Sequence, residues 1–244
     1  MEKDGNKAFH SFLFINKHSM ERYMIIVAGG SGKRMGSDIP KQFLPINGKP
    51  ILMRTIERIY QYSSDISIIL VLPENQMDYW QLLCQEYQFH IPYRVAMGGR
   101  ERFFSVKNAL ELVPDNCLVG IHDGVRPFVS NQTLDRLFDA TKQHPAVIPA
   151  IPPHESIRIT DQNTSHIIDR NTVKLVQTPQ CFDSSILKKA YDTDFLPIFT
   201  DDASVVEHTL GREITLVEGN RDNIKITTAF DLMMAEVIYE NYKS

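Results

Sequence analysis

Between Met24 and Ile151, five short apolar runs alternate with four segments whose apolar residues recur at helical spacing. Two strands joined by a helix form a parallel pair, because the helix returns the chain across one face of the sheet. The alternation therefore predicts an α/β fold with a Rossmann-like, mostly parallel twisted sheet and helices on both faces. The predicted strands are Met24–Ala28, Ile66–Leu72, Tyr93–Met97, Cys117–Ile121 and Ala146–Ile151, and the predicted helices are Ile51–Tyr62, Gln76–Gln88, Arg102–Leu112 and Asn131–Lys142.

The alternation stops at Pro152, and the residues that follow predict a different element. Two segments of alternating polarity, Ser156–Thr160 and Ser165–Asp169, flank a polar turn, which is the pattern of a β-hairpin. A two-stranded ribbon is marginally stable alone, so this arm, residues 152–174, must pack on another surface such as a second subunit. Further along, the pattern predicts helices Ser184–Thr193 and Asp202–Leu210, strands Glu213–Glu218 and Ile224–Ile226, and a last helix from Ala229.

Size and composition indicate one soluble domain. The chain has 244 residues and a mass of 28.0 kDa, enough for one full core. We expect residues 23–244 to form a single domain and residues 1–22 to be a leader outside it, because the first buried strand begins near Met24. No apolar run approaches the roughly 18 residues of a membrane span.

Net charge and cysteine content argue against two further classes of protein, those that bind nucleic acids and those held together by disulfides. A net charge of −4 and a pI near 6.1 argue against a nucleic-acid-binding surface. Cys84, Cys117 and Cys181 are odd in number and widely spaced, so we expect reduced thiols in a cytoplasmic protein.

A glycine-rich segment follows the first predicted strand. Four of the twelve glycines fall within eight consecutive residues, and Lys33, Arg34 and Lys41 outnumber the one nearby acid, Asp38. Glycine permits sharp turns and leaves backbone N–H groups accessible to a ligand. A positively charged loop in an otherwise acidic chain also attracts anions, so the segment suits a polyphosphate. A Walker A loop is excluded because Arg34 stands where Ser or Thr is required, and the dinucleotide fingerprint lacks its third glycine. The alternative is an ordinary turn with solvated cations.

Two further motifs stand at the carboxyl ends of predicted strands, where α/β sheets bind ligands. Gly98–Arg102 opens a helix and could accept a flat base or a phosphate, or it could be a plain turn with surface arginines. Asp123 could hold Mg²⁺ through water or bind a ribose hydroxyl, or it could pair with Arg126 and stiffen a turn.

Two motifs near the carboxyl terminus lead to opposite interpretations. Asp201 and Asp202 fall in the first turn of a predicted helix, so helix capping is the favoured role. Lys225 stands between two isoleucines, and burying a lysine without an ion-pair partner there would cost free energy. A bound anion would explain a lysine at this position better.

These motifs, in this order, resemble those of the cytidylyltransferases that act on alditol phosphates. The resemblance runs from about Met24 to Tyr242. It is carried by A-G-G-x-G-x-R-M-G, P-K-Q-F-L, G-G-x-E-R, H-D-x-x-R-P, D-R, Q-T-P-Q-x-F, T-D-D-A-S and D-N-I-K-I-T.

The resemblance implies a role for each matching residue. The residues that would stabilise charge during catalysis are Arg34, Lys41, Arg170 and Lys225. Those that would bind the nucleotide are Ala28, Gly29, Gly30, Ser31, Gly32, Gly99, Arg100, Arg102, Ser105, Asp123 and Gly124. Those that would bind the alditol phosphate are Asp123, Arg126, Ser156, Arg170, Thr178, Asp222 and Lys225, with Asp123 and Asp222 as candidate ligands of Mg²⁺.

The implied reaction is the transfer of CMP from CTP to an alditol phosphate, with Mg²⁺ on the triphosphate and pyrophosphate as the second product. The resemblance also implies a homodimer in which each arm lies over the partner subunit. Asp169 beside Arg170, and Asp222 before Asn223, resemble the members of the family whose acceptor is 2-C-methyl-D-erythritol 4-phosphate, so the resemblance implies this acceptor. Two alternatives stay open: D-ribitol 5-phosphate as the acceptor, and a non-catalytic nucleotide-binding domain that has kept the fold.

Overall fold

A computed structural model describes residues 20–29, 39–161 and 163–243 of the chain. Its strands are β1 (Arg22–Val27), β2 (Pro45–Ile46), β3 (Lys49–Pro50), β4 (Ser67–Leu72), β5 (Arg94–Met97), β6 (Leu118–Asp123), β7 (Ala146–Ile151), β8 (Ile157–Asp161), β9 (Thr164–Ile168), β10 (Leu175–Val176), β11 (Gln180–Asp183) and β12 (Thr215–Glu218). Its α-helices are α1 (Ile51–Tyr62), α2 (Met77–Glu86), α3 (Arg102–Leu110), α4 (Asn131–Thr141), α5 (Ser184–Tyr191), α6 (Asp202–Leu210) and α7 (Ala229–Lys243). Within these ranges, no helix combines the length and apolar character needed to cross a bilayer.

The central sheet has the strand order β10-β7-β11-β6-β1-β4-β5, and β12 also pairs with β7. Strands β6, β1, β4 and β5 run parallel, while β11 runs antiparallel between β6 and β7. The α/β fold with a mostly parallel sheet is therefore confirmed.

The central strand β1 explains why helices cover both faces of this sheet. Successive side chains of a strand point to opposite faces, and Ile25 belongs to a different apolar cluster from Met24 and Ile26. All three are fully buried. The Ile25 cluster includes residues of α3, α5 and α6, and the other cluster includes residues of α1, α2 and α4. A strand this apolar can only lie between two layers of helices.

Three details differ from the sequence prediction. Strand β1 begins at Arg22, so the last residue of the predicted leader belongs to the sheet. The predicted strand Ile224–Ile226 is wrong, because this segment joins no strand ladder; the Ile226 N–H instead donates to the Val125 carbonyl. Strands β2, β3, β10 and β11, each of four residues or fewer, were not predicted. The division into leader and single domain stays a prediction.

The predicted hairpin arm is confirmed as β8 and β9, which pair antiparallel with Ile157 opposite Ile168. Asp161 pairs with Thr164, so the strands extend closer to the turn than predicted. Among the described residues this ribbon forms a sheet of its own, separate from the central sheet. The packing of the arm on a second subunit stays a prediction.

Candidate functional site

A cleft of about 290 Å³ opens at the carboxyl ends of β1, β5 and β6. Nine residues of its lining are predicted site residues: Ala28, Gly29, Lys41, Gly99, Arg100, Arg102, Ser105, Asp123 and Lys225. The remaining lining residues, which the sequence analysis did not select, are Val27, Gln42, Glu101 and Val125. The parallel strands thus bring together side chains that are up to about two hundred residues apart in the chain.

The other predicted site residues that the structure describes do not line this cleft. Gly124 and Arg126 lie in the loop that follows Asp123, the last residue of β6. Ser156 and Arg170 are exposed on the arm, where Arg170 donates to the His154 carbonyl, and Asp222 is exposed on another loop. Gly30, Ser31, Gly32 and Arg34 lie outside the described residues. The roles assigned to all these residues stay predictions.

Asp123 is the centre of charge in the cleft. Its Oδ2 atom lies 3.0 Å from Lys225 Nζ and 3.1 Å from Arg126 Nε, and its Oδ1 atom lies 3.9 Å from Arg102 Nε. Burial alone would raise the pKa of this carboxyl, but Lys225, Arg102 and Arg126 together lower it well below its usual range. Arg102, Arg126 and Lys225 outnumber the carboxylates of Asp123 and Asp202, so this group of side chains keeps a net positive charge, which suits a polyphosphate ligand.

The guanidinium of Arg102 is held in place by Asp202, the first residue of α6. It donates hydrogen bonds of 2.8 and 2.6 Å to the two carboxylate oxygens of Asp202, which is fully buried and also accepts from the Tyr191 hydroxyl at 2.7 Å. Burial opposes the charged guanidinium, but Asp202 reverses this and raises the pKa of Arg102. The helix-capping prediction is confirmed for Asp201, whose side chain accepts from the Ser204 N–H. Asp202 instead holds Arg102, and no sequence motif predicted this pairing of residues that are 100 positions apart.

The turn before α3 requires a glycine. A Cβ atom at Gly99 would lie 2.3 Å from Phe104 Cβ, closer than any real contact. The Ser105 hydroxyl accepts from the Gly99 N–H at 3.0 Å and approaches the Glu101 carbonyl at 3.2 Å. Ser105 is buried, and its two hydrogen bonds stabilise the conformation of this turn.

His122 and Thr178 lie beneath the cleft and share a fixed set of hydrogen bonds. The Thr178 hydroxyl accepts from the Asp123 N–H at 3.0 Å and lies 2.9 Å from His122 Nδ1. A carbonyl oxygen only accepts, so the Arg126 carbonyl decides which ring nitrogen of a neutral His122 carries the proton. His122 Nε2 then donates to the Arg126 carbonyl at 3.0 Å. These partners define the neutral imidazole protonated at Nε2, and burial lowers the pKa of His122 to about 4.

We expect this histidine to make folding stability depend on pH. In the unfolded chain its pKa is about 6.5, so between about pH 6.5 and 4 the unfolded state binds a proton that the folded state does not. The free energy of unfolding should therefore fall by about 3 kcal/mol as the pH drops through this window. Urea unfolding at pH 7.0, 6.0, 5.0 and 4.5 measures the change.

The control for this prediction is His122→Gln, whose amide can accept from Thr178 and donate to Arg126 but does not titrate. Other acidic groups contribute equally to both proteins, so the difference between the two curves isolates His122. Parallel curves for the wild type and His122→Gln across this window would contradict the assignment.

Lys41 enters the cleft from a single 3-10 turn, Lys41–Phe43, whose other two residues are buried. Gln42 donates from Nε2 to the Ala28 carbonyl at 2.8 Å and to Gln76 Oε1 at 2.5 Å. The turn that carries Lys41 is therefore attached to Ala28, the residue that directly follows β1. Gln42 directly follows Lys41 in the P-K-Q-F-L motif, and that adjacency was the signal that could have identified it.

The residues at this site do not fit a resident metal ion. In the described part of the chain, no three His, Cys, Asp or Glu side chains gather as metal ligands would. Asp123, one of the two predicted Mg²⁺ ligands, is already surrounded by three cations. A divalent cation needs several oxygen ligands, which a triphosphate can supply itself.

A positive cleft at the carboxyl edge of a mostly parallel sheet, with glycine turns at the ends of two strands, defines the protein as an α/β nucleotidyltransferase. Solved structures with this fold agree. A 4-diphosphocytidyl-2C-methyl-D-erythritol synthase from Anaerococcus prevotii superposes with a TM-score of 0.76 at 27% identity, covering 91% of this chain and 96% of that one. The 2-C-methyl-D-erythritol 4-phosphate cytidylyltransferase of Thermus thermophilus superposes with a TM-score of 0.72 at 28% identity, covering 91% and 100%.

Sequence comparison identifies the family. Residues 23–241 match the family model described as 2-C-methyl-D-erythritol 4-phosphate cytidylyltransferase. Relatives of that name from Phocaeicola vulgatus and Bacteroides fragilis are each 54% identical over 219 residues, which cover 90% of this chain and 100% of each relative. The chain therefore belongs to the 2-C-methyl-D-erythritol 4-phosphate cytidylyltransferase family.

Proposed function

We propose that this chain transfers CMP from CTP to 2-C-methyl-D-erythritol 4-phosphate, giving 4-diphosphocytidyl-2-C-methyl-D-erythritol and pyrophosphate in the synthesis of isoprenoid precursors. The observation that carries the proposal is the cleft itself, where Lys41, Arg102 and Lys225 line one positive pocket with Asp123 at its centre. Such a pocket suits a reaction in which two phosphorylated substrates meet.

The chemistry needs orientation and charge stabilisation rather than a general base. The acceptor phosphate has a second pKa near 6, so it is largely dianionic at pH 7. One of its oxygens attacks the α-phosphorus of CTP, a new P–O bond forms, and the bond from the α-phosphorus to the bridging oxygen breaks. The bonding electrons leave with pyrophosphate, and we assign Lys41 and Arg34 to stabilise the negative charge that develops.

Lys225 is the residue we assign to the acceptor phosphate. An ammonium group has three donors, so its contact with Asp123 leaves two for a phosphate oxygen. Asp123 thus serves to hold Lys225 in place. The divalent cation, Mg²⁺ in our proposal, enters bound to the triphosphate of CTP as part of the substrate. The three unpaired cysteines support a cytoplasmic location.

The choice of acceptor tests the proposal directly. We expect kcat/KM for 2-C-methyl-D-erythritol 4-phosphate to exceed that for D-ribitol 5-phosphate at least about 10²-fold, because a site built for one set of hydroxyl groups rejects a mismatched set strongly. Pyrophosphate release at saturating CTP measures both values. A preference for ribitol phosphate would overturn the acceptor assignment, and no release with either acceptor would favour the non-catalytic alternative.

We further propose that Arg170 and Ser156 serve the site of a partner subunit, because both are exposed on the arm and neither lines the cleft. Mixing Arg170→Ala chains with Lys41→Ala chains should then restore part of the activity that each lacks, since a mixed dimer holds one site with both cations intact. Pyrophosphate release after unfolding and refolding the mixture together measures this. Absence of recovery, with heterodimers present, would mean that Arg170 acts within its own subunit.

A further inference from the structure

The segment that carries Lys225 has no regular secondary structure to fix it. Residues 219–228 lie between β12 and α7 and belong to neither a helix nor a strand. The side chain of Lys225 is 43% exposed, so water screens its contact with Asp123, and an exposed ion pair contributes little to holding a chain in place. Other contacts must therefore determine where this lysine lies in the cleft.

Asn223, two residues before Lys225, is fully buried. Its side-chain Nδ2 donates to the Thr178 carbonyl at 2.8 Å, and its backbone carbonyl accepts from Arg126 Nη1 at 2.7 Å. Thr178 lies just before β11, and Arg126 lies in the loop after β6. This one residue therefore joins the segment to two other parts of the chain.

Thr178 and Arg126 also hold Asp123, the carboxylate that Lys225 contacts. The Thr178 hydroxyl accepts from the Asp123 N–H at 3.0 Å, and Arg126 Nε donates to Asp123 Oδ2 at 3.1 Å. Lys225 Nζ lies 3.0 Å from that same oxygen. Asp123 and Asn223 are therefore connected twice, through Thr178 and through Arg126. These connections set the distance between the carboxylate and the segment that carries the lysine.

Stability alone does not explain the side chain of Asn223. Its Oδ1 atom is buried, and no donor within the described residues reaches it. A buried carbonyl oxygen without a donor lowers stability, which offsets the gain from the hydrogen bond that Nδ2 makes to Thr178. An amide that adds so little stability points to a role in positioning.

We infer that Asn223 is a positioning residue for Lys225. Its hydrogen bonds to Thr178 and Arg126 place the segment so that the lysine ammonium meets Asp123 and keeps its remaining donors for the acceptor phosphate. A charge that is in place before the substrate arrives binds it more tightly, because the lysine then needs no further ordering. The inference rests on the proposed function, which assigns the acceptor phosphate to Lys225.

The first test is Asn223→Ala, which removes the amide and leaves every charge in the cleft. We expect KM for 2-C-methyl-D-erythritol 4-phosphate to rise about tenfold while KM for CTP stays within about twofold of the wild-type value, because only the residue assigned to the acceptor loses its position. Steady-state pyrophosphate release, with one substrate varied and the other saturating, gives both constants. An unchanged KM for the acceptor, or an equal rise in both constants, would overturn the inference.

A double variant shows whether Asn223 acts through Lys225. Lys225→Ala should raise KM for the acceptor about 10²-fold, and adding Asn223→Ala to it should cause no further rise, since the residue that Asn223 positions is already absent. Two effects that multiply in the double variant would mean that Asn223 does not act through this lysine.

The matched control is Ser184→Ala. Ser184 is also fully buried, and its hydroxyl accepts from the N–H of Cys117, the residue before β6, at the opposite end of this strand from Asp123. Each variant leaves one buried backbone group without its side-chain partner, so both should lose comparable stability. Ser184→Ala should nevertheless keep both KM values, and a rise in its acceptor KM equal to that of Asn223→Ala would reduce the effect to general destabilisation. If Asn223→Ala does not fold, Asn223→Ser, which keeps a small polar side chain, gives the same comparison.

Crystal structures separate this inference from the proposed function. In Asn223→Ala the Lys225 ammonium should lie beyond ion-pair distance, more than about 4 Å from Asp123 Oδ2, whereas the wild-type distance is 3.0 Å. An unchanged distance would overturn the inference whatever reaction the protein catalyses. A wild-type protein that releases no pyrophosphate would contradict the proposed function, and the measured distance would still decide whether Asn223 positions Lys225.

Discussion

Replacing Lys41 by alanine is expected to lower kcat about 10²- to 10⁴-fold while KM for CTP changes little. Lys41 lines the cleft from a turn that Gln42 fastens to the end of β1, so its ammonium is held at a fixed place before substrate arrives. A charge positioned in this way stabilises the transition state more than the bound substrate, and its removal therefore appears in kcat. Steady-state pyrophosphate release gives both constants.

The matched control is Lys142→Ala, since Lys142 is an exposed lysine paired only with its neighbour Asp139 across a single turn. It should keep wild-type kinetics. Both variants should unfold at the wild-type temperature, because neither lysine is part of the core. A Lys41→Ala enzyme with turnover near that of the wild type would remove Lys41 from the catalytic assignment.

Replacing Asp202 by alanine is expected to lower the free energy of unfolding by about 3 kcal/mol. The carboxylate is fully buried and accepts two hydrogen bonds from Arg102, so its loss leaves a largely buried guanidinium without its main partner. Breaking such a pair costs about 3–5 kcal/mol, and the lower end applies because Arg102 keeps some exposure and a longer contact with Asp123. The melting temperature should fall by roughly 6–12 °C at constant protein concentration.

Tyr191→Phe is the matched control, because it removes one hydrogen bond to Asp202 and leaves the ion pair intact. Its cost should be about 1 kcal/mol. Activity of Asp202→Ala, measured below its melting temperature, should also fall, since Arg102 lines the cleft. Equal melting temperatures for the two variants would show that Arg102 does not depend on Asp202 for its place in the fold.

Helix α7 and the buried ion pair between Arg102 and Asp202 illustrate what a pattern of residue types can and cannot predict. Helical spacing correctly placed a helix from Ala229, because periodicity is a local property of the chain. The pairing of Arg102 with Asp202 joins residues 100 positions apart, and no local pattern encodes it. The Asp201–Asp202 motif was assigned to capping because both residues stand at a helix start, and only the contact between Arg102 of α3 and Asp202 of α6 separates their roles.

The residue order by itself determined the parallel part of the sheet, the helices on both of its faces, and most of the cleft lining. Buried strands, glycine turns and helices can each be recognised from a short run of consecutive residues. Parallel strands also end at the same edge of the sheet, which brings the residues at their carboxyl ends together. Only the tertiary structure decided that β11 enters antiparallel between β6 and β7, that Ile224–Ile226 joins no ladder, and that Asp123 meets three cations. These features depend on which distant segments meet in space, and competing arrangements differ through packing and charge that no short stretch of sequence specifies.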